Sequence, residues 1–416
     1  MPKFDQPVIR KGRIRRGMFL LGPAFVAAIA YVDPGNVAAN LTGGAKFGYL
    51  LVWVLVAANL MAALVQYQSA KLGIVTGRTM PQLLGERLSK HPRRLFWAQA
   101  ELVAVATDVA EVIGGAIALQ LLFGLPLVLG GVIVGAVSMI MLGLQSRYGQ
   151  RPFEFVIVGM LAVVAIGFLA GLVVRPPDGG AVLDGLLPRF DGTESVLLAA
   201  SMLGATVMPH AIYVHSALAR DRHGKAKGAD DRARLLKATR WDVVIALGVA
   251  GVVNIGMLLL AAVNLRDIDG TDTIDGAHAA IEGALGPGVA LVFAIGLLAS
   301  GLASTAVGSY AGATIMEGLL HRRIPIFVRR VVTMIPALIV LGLGVSPTWA
   351  LVVSQVFLSF GIPFALVPLL RLTNDRSLMG EAVNRRWVSW ALGIVVLLVV
   401  ALNLALIVLT LAGGES

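Results

Sequence analysis

The chain has 416 residues, of which 57% are hydrophobic and only 14% are charged, whereas soluble domains average about 45–50% apolar and about 25% charged residues. This composition excludes a soluble globular domain and predicts an integral membrane protein. The net charge of +10 does not indicate a nucleic-acid partner, because the positions of the basic residues report membrane topology instead.

Eleven apolar stretches follow one another along the chain, each of about 20 residues, the length that crosses about 30 Å of hydrocarbon. We call them spans 1 to 11. They cover residues 18–41, 49–70, 96–122, 125–145, 153–174, 195–219, 241–264, 287–312, 331–345, 347–370 and 387–412. The longest polar segments, 71–94 and 220–240, are predicted to be loops with at most a short amphipathic helix, and 265–286 is predicted to contain another.

Lys and Arg concentrate in alternate connections. All but four of the 34 lie before span 1 or after spans 2, 4, 6, 8 and 10; the exceptions are Lys46, Arg175, Arg189 and Arg266. Because basic residues stay on the cytoplasmic side, this predicts a multi-pass plasma-membrane protein with a cytoplasmic amino-terminal tail (1–17). The odd number of spans then places the carboxyl terminus outside the cell.

Span 1 contains the sequence Asp33-Pro34-Gly35-Asn36. Proline removes a backbone donor and clashes with the preceding turn, and glycine is a poor helix former, so the helix that begins near Met18 is expected to come apart at 33–36. An ionisable side chain beside freed carbonyls at mid-membrane depth is typical of an ion site in a broken-helix transporter.

A second break, Met208-Pro209-His210, interrupts span 6 at 175 residues after the first, counting from 33 to 208. Spans 1–5 and 6–10 are odd in number, so the second half must be inverted in the membrane. The pattern predicts one all-α transporter domain over 1–416, with repeats at 18–174 and 194–372 and an eleventh span at 386–416, and its site at the repeat interface.

The two breaks together offer a set of metal donors. Asp33 supplies a carboxylate, Asn36 an amide oxygen, the backbone near Ala30 or Ala205 supplies carbonyls, and Met208 supplies a thioether. Oxygen alone suits magnesium, calcium and manganese, whereas the sulfur favours softer transition metals. The set predicts a divalent transition metal as cargo, although Asn36 is also a favoured helix cap and methionine commonly fills gaps in cores.

Span 3 carries Glu101, Asp108 and Glu111 on one helical face. Acidic side chains in series are typical of proton relays in transporters. Arg329 and Arg330, at the start of span 9, are either cytoplasmic partners of this relay or ordinary positive-inside residues.

His210 and His215 are the two histidines within the spans. Five residues apart, they lie about 140° around a helix and do not form the i, i+4 pair that clasps one metal. Each is expected to be a buried, hydrogen-bonded imidazole, with His210 also placed to gate or tune a proton.

Other function classes fit less well. No His-Glu-x-x-His motif, serine elbow or glycine-rich phosphate cradle is present, so neither an enzyme nor a cofactor is predicted. A symporter that couples an amino acid to sodium on the same fold is an alternative, but Asp33 would repel the substrate's carboxylate. A metal-binding sensor or scaffold is another, against which the two-half architecture argues.

These motifs resemble those of the natural resistance-associated macrophage protein (Nramp) family of proton-coupled manganese and iron transporters. The resemblance covers nearly the whole chain. It rests on Asp33-Pro34-Gly35-Asn36, Met208-Pro209-His210, Thr107-Asp108-Val109-Ala110-Glu111, Arg329-Arg330 and the segment around Gln355.

The resemblance implies a leucine-transporter-like fold and import of Mn²⁺ or Fe²⁺, and also Cd²⁺ or Co²⁺, with proton co-transport by alternating access. A monomer suffices for this mechanism. The implied metal ligands are Asp33, Asn36, Met208 and the carbonyls of Ala205 and, in some states, Ala30, with Gln355 joining as the outer gate closes. Proton transfer and gating are implied for His210, Asp108, Glu111, Arg330, Arg329, His215 and Thr107. A related magnesium-carrying branch lacks the methionine, so Met208 argues against that cargo.

Overall fold

The computed structural model describes residues 22–266, 268–271, 273–322 and 324–413. Within these ranges the chain is helical and contains no β-strand, as predicted. The amino-terminal tail and the predicted start of span 1 near Met18 lie outside the described residues.

A helix occupies each of the eleven predicted spans. Span 1 is divided into helix 1a (Pro23–Ala28) and helix 1b (Pro34–Phe47), and span 6 into helix 6a (Gly192–Thr206) and helix 6b (Pro209–His223). The other spans are Val52–Thr76, Lys90–Phe123, Leu127–Tyr148, Gln150–Val174, Gly228–Asn264, Pro287–Leu320, Ile326–Gly342, Pro347–Asn374 and Arg386–Gly413. Short helices in the connections are Met80–Arg87, Gly179–Asp184, Ile274–Leu285 and Arg376–Met379.

In the described part of the chain, eight helices are long and apolar enough to cross a membrane, counting the halves of span 6 as one. Among the described residues the apolar parts of spans 1 and 4 are shorter, at Pro23–Val32 and Leu127–Gly143, and span 9 has 17 residues.

The polar segment 220–240 is more helical than predicted. Span 7 begins at Gly228, well before the expected residue 241, with Asp230 and Asp231 in its first turn. Acidic side chains stabilise a helix amino terminus through its dipole, and hydropathy marks only the part of a helix that meets hydrocarbon. The prediction of a loop over 228–240 was therefore wrong, whereas the helix expected within 265–286 is present as Ile274–Leu285.

The break in span 1 begins earlier than predicted. Helix 1a ends at Ala28, a 3₁₀ turn covers Ile29–Val32, and Asp33 is extended with φ −71° and ψ 169°. Proline is well tolerated in the first turn of a helix but disrupts the turn that precedes it. The disruption therefore falls before Pro34, and helix 1b starts at the proline.

Spans 1 and 6 lie in the interior of the bundle. Helix 1b packs against span 7, helix 6a and span 10, and helix 6b packs against spans 2 and 8. Span 3 packs mainly against span 8, and span 11 lies outside span 10. Irregular backbone is tolerated at membrane depth only where protein shields it from lipid, and this packing shields both breaks.

Candidate metal-binding site

Asp33 organises the first break. Its Oδ1 accepts a hydrogen bond from the backbone N–H of Asn36 at 2.8 Å, so Asp33 is the amino-terminal cap of helix 1b. The alternative in which Asn36 is the cap is wrong, because Asn36 lies inside the helix and donates to the cap. Asp33 is 0% exposed, and its Oδ2 accepts no hydrogen bond from any residue that the structure describes.

Two side chains from other spans satisfy carbonyls at this break. Asn254 of span 7 donates from Nδ2 to the Tyr31 carbonyl at 2.6 Å, and Ser300 of span 8 donates from Oγ to the Val32 carbonyl at 2.6 Å. A buried carbonyl without a partner costs about 1–3 kcal/mol, so these bonds fix the unwound segment in place.

The carbonyls of Ala30 and Ala205 are denied their α-helical donors. An α-helical carbonyl accepts from the N–H four residues ahead, and those residues are Pro34 and Pro209, which have no N–H. Ala30 and Ala205 are 175 residues apart, and so are Pro34 and Pro209, the same separation as between Asp33 and Met208. The two repeats therefore place a carbonyl of this kind at the same position of each break.

Met208 occupies the position at the second break that Asp33 occupies at the first. It is the residue before the first turn of helix 6b, with φ −66° and ψ 123°, but its side chain makes no capping hydrogen bond. The side chain is 0% exposed. Beside it, the Thr206 hydroxyl is buried and has no hydrogen-bond partner among the residues described.

Gln355 of span 10 brings the two breaks together. A methyl group built on Gly35 would lie 1.8 Å from Gln355 Nε2, and one built on Gly204 would lie 2.0 Å from the Gln355 carbonyl oxygen. Both glycines are therefore required for span 10 to approach both breaks. Gln355 is 0% exposed, and its Oε1 accepts no hydrogen bond within the described chain.

Asn254 also orients the amide of Asn36. Its Oδ1 accepts from Asn36 Nδ2 at 3.3 Å and from Asn40 Nδ2 at 2.8 Å. With its nitrogen committed in this way, Asn36 presents an Oδ1 that has no partner in the described ranges. The sequence interpretation missed Asn254 and Asn40, although polar amides inside apolar spans were a signal that could have found them.

The resulting candidate donor set is one carboxylate oxygen, two amide oxygens, a thioether and the two carbonyls whose α-helical donors are replaced by proline. No group of three His, Cys, Asp or Glu side chains that could hold a metal occurs in the part of the chain that the structure describes. A single negative charge with neutral oxygen and sulfur donors suits a divalent ion that is bound and released rather than held permanently.

Span 3 places its acidic residues against spans 8 and 9. Arg330 Nη1 lies 3.0 Å from Asp108 Oδ1, and Arg329 Nη2 lies 2.8 Å from Glu101 Oε1. Arg330 also donates from Nε to Ser138 Oγ of span 4 at 2.9 Å. Arg329 and Arg330 are 6% and 1% exposed, so neither is an ordinary basic residue of the membrane surface.

Glu111 differs from the other two acids because it forms none of the ion pairs seen among the described residues, and neither of its carboxylate oxygens has a hydrogen-bond partner there. A methyl group on Gly308 of span 8 would lie 2.9 Å from Glu111 Oε2. Gly114, one turn further along span 3, lies directly against Pro34, since a methyl group there would be 1.9 Å from the Pro34 Cβ. Glu111 is thus buried close to the first break.

The two intramembrane histidines have separate partners. His210 Nδ1 lies 3.3 Å from the Thr107 hydroxyl, which places helix 6b against span 3 next to Asp108. His215 Nδ1 lies 2.7 Å from Gln66 Oε1, and Gln66 Nε2 donates to the Tyr31 hydroxyl. His210 therefore contacts span 3 at Thr107, the residue before Asp108, whereas His215 belongs to a hydrogen-bonded chain that ends on the 3₁₀ turn of span 1.

Residues 24–409 match the sequence model of the natural resistance-associated macrophage protein-like (Nramp) family. The chain belongs to the Nramp family. This Nramp protein is 59% identical over 400 residues to the divalent metal cation transporter MntH of Mycobacterium tuberculosis (strain ATCC 25618 / H37Rv), covering 96% of this chain and 94% of the relative. It is 46% identical over 402 residues to MntH of Bacillus subtilis (strain 168), covering 95% and 94%.

Solved structures agree with this family assignment. The Eremococcus coleocola manganese transporter is similar with a TM-score of 0.85 at 32% identity, over 95% of this chain and 88% of that one. Mhp1, a nucleobase-cation-symport-1 family transporter, has a TM-score of 0.56 at 18% identity over 94% and 91%, which shows a shared fold alone. The expected leucine-transporter-like fold of the Nramp protein is confirmed.

The structure brings together Asp33, Asn36 and Gln355 from the predicted metal ligands, and it places Met208, Ala205 and Ala30 at the same pair of breaks. It separates His215 from the acids of span 3, so the predicted proton group divides into two networks. Their roles in metal and proton transfer remain predictions.

Replacing Asn254 with Ala is expected to weaken Mn²⁺ binding as well as stability. The variant leaves the Tyr31 carbonyl and the amides of Asn36 and Asn40 without their partner, at a cost of about 1–3 kcal/mol per buried group. Asn403→Ala is the matched control, because the hydrogen bonds that the structure describes for Asn403 go to Ser359, between spans 10 and 11, and not to span 1. Calorimetric titration should show weaker binding only for Asn254→Ala; equal affinities would contradict the anchoring role.

Proposed function

We propose that this protein imports divalent transition-metal ions, Mn²⁺ or Fe²⁺, across the plasma membrane together with protons. The observation that carries the proposal is the junction of the two helix breaks. There Asp33 Oδ2, Asn36 Oδ1 and Gln355 Oε1 are all buried and none has a partner among the described residues. Buried oxygens without a partner are unfavourable in a protein interior unless they bind a ligand such as a cation. The names of the MntH relatives agree with a divalent cation.

The sulfur of Met208 selects among divalent ions. Mg²⁺ and Ca²⁺ bind oxygen ligands, and Mg²⁺ gives up its water reluctantly, whereas Mn²⁺, Fe²⁺, Co²⁺ and Cd²⁺ accept a thioether more readily. Met208 lies at the second break without any capping bond, where its sulfur is available to a metal. The same residue argues against magnesium as cargo.

Alternating access requires helices 1a and 6b to move, since the side chains at the breaks are closed off from solvent in this structure. Helix 1a is held by Asp242 of span 7, which accepts from the N–H groups of Gly22 and Ala24 at 3.0 and 2.9 Å. Helix 6b is held by Tyr310 of span 8, whose hydroxyl donates to Asp221 at 2.5 Å. Release of these contacts would open the site toward the basic, cytoplasmic end.

Protons are proposed to leave the site along span 3. Glu111 lies near Pro34 with both oxygens unengaged by the described residues, and Asp108 follows one turn closer to Arg330. His210 contacts this line through Thr107. A proton released near Asp33 when the metal binds therefore meets Glu111, then Asp108 one turn further, and then Glu101 two turns beyond it toward the cytoplasm.

Asp33→Asn is expected to abolish Mn²⁺ uptake into proteoliposomes. Asn is isosteric and remains a favoured helix cap, so the variant keeps helix 1b and removes only the charge. Quenching of a metal-sensitive dye inside the vesicles measures uptake, and size-exclusion chromatography checks folding. Uptake at the wild-type rate would rule out Asp33 as a metal ligand.

Met208→Leu is expected to keep Mn²⁺ uptake but to weaken discrimination against Ca²⁺ and Mg²⁺. The substitution conserves volume at a stability cost usually below about 1.5 kcal/mol and removes the only sulfur donor proposed at the site. Competition of Ca²⁺ and Mg²⁺ with Mn²⁺ in the dye assay measures the effect. Unchanged selectivity would show that the methionine serves packing alone.

Glu111→Gln is expected to retain metal uptake and to lose its dependence on a pH gradient. The amide keeps the shape of the side chain but cannot take up and release a proton, whereas Glu111→Asp keeps that capacity. Intravesicular pH dyes measure proton entry alongside Mn²⁺ entry. Wild-type proton flux in Glu111→Gln would remove this residue from the proposed path.

A further inference from the structure

A cavity lies on the outer surface of the bundle, and none of the residues at the helix breaks lines it. It has a volume of about 580 Å³ and is formed by spans 2, 7 and 11 with the segment that precedes span 11. An adjoining cavity of about 610 Å³ shares Tyr67, Leu236, Arg240 and Val244 with it. We call the two together the basic groove. The metal and proton networks described above use none of its lining residues.

The groove is lined by four cations, which are Lys71, Lys237, Arg240 and Arg385. No Asp or Glu lines either cavity. Lys71 is 6% exposed, and its ammonium group donates to Asn384 Oδ1. None of the ion pairs seen among the described residues neutralises any of the four. The groove therefore concentrates positive charge that the protein itself leaves uncompensated.

The outer wall of the groove is apolar and aromatic. Trp241 of span 7 is 57% exposed, Trp387 of span 11 is 65% exposed, and Val244 is 49% exposed. Tryptophan is enriched where helices cross the boundary between hydrocarbon and headgroups. The cations stand at the same level as these rings, at the end of the bundle that carries most of the Lys and Arg.

We infer that the basic groove binds the phosphate headgroup of an anionic glycerophospholipid of the leaflet at the Lys- and Arg-rich end. The cations match the negatively charged phosphate, and the apolar wall below them matches the acyl chains that a free phosphate lacks. Basic pockets between transmembrane helices on the cytoplasmic side recognise anionic headgroups in this way. Under the orientation proposed above, this is the cytoplasmic leaflet.

The occupant would join three parts of the molecule. Lys71 belongs to span 2, Arg240 to span 7 and Arg385 to the segment that leads into span 11. That segment is already linked to span 2 by the Lys71–Asn384 bond and to span 7 by the Arg232–Glu381 ion pair. A phosphate between these cations adds charge-assisted hydrogen bonds, which are roughly twice as strong as neutral ones. The lipid would thereby fasten span 11 to the bundle.

The test is native mass spectrometry of the full chain in detergent with added dioleoylphosphatidylglycerol, dioleoylphosphatidylcholine or inorganic phosphate. The variant Lys71→Gln/Arg240→Gln is compared with Lys90→Gln/Arg94→Gln, which removes the same charge from exposed cations outside the groove. With about fivefold in affinity per basic residue near a surface, the groove variant should need about thirtyfold more phosphatidylglycerol. The control should match the wild type.

The single variant Arg240→Gln is measured in the same way in case the double variant does not fold. Arg240 is exposed, so its replacement should not disturb the packing. This variant should lose about fivefold in affinity, and Arg240→Lys should restore it. Equal binding by groove and control variants would overturn the inference, as would equal retention of phosphatidylcholine. Displacement of the lipid by inorganic phosphate at the same concentration would show an anion site without lipid specificity and would also overturn it.

Discussion

The organising constraint of this molecule is that backbone hydrogen bonds cannot be left to water inside a membrane. Pro34 and Pro209 have no N–H, so each leaves a mid-span carbonyl without its α-helical donor. Such a break is tolerated in a membrane only where other protein groups hydrogen-bond the freed backbone. Asn254 and Ser300 donate side-chain hydrogen bonds to the carbonyls of Tyr31 and Val32. The side-chain oxygens that the surrounding spans leave without a partner, those of Asp33, Asn36 and Gln355, are the candidate donors for the proposed metal.

This constraint also explains why the surrounding spans carry glycine and amide residues at particular places. Span 10 approaches the first break at Gly35 and the second at Gly204, and its Gln355 fills the space that side chains there would take. Asn254 holds the 3₁₀ turn and helix 1b together through its two amide atoms. The geometry of the candidate site is thus set by spans 7 and 10, each of which is a continuous helix.

The line of acids on span 3 depends on a different balance. Burying Arg330 beside Asp108 is costly for both ions, and the pair is retained because each compensates the other. Ser138 of span 4 takes a further donor of the guanidinium. Glu111 has no such ion pair in the described chain, so it is the one of the three acids that is buried without an arginine beside it.

The sequence by itself determined the membrane class, the eleven helices, the two breaks and the residue types at the site, because hydropathy, proline and intramembrane charge act locally along the chain. It missed the start of span 7 at Gly228, since hydropathy reports hydrocarbon contact and not helix length. Only the tertiary structure decided that Asn254 orients Asn36 and that His215 belongs to a network apart from the acids. Those outcomes depend on which side chains of distant spans meet, and hydrogen-bond partners more than 100 residues apart leave no periodicity to read.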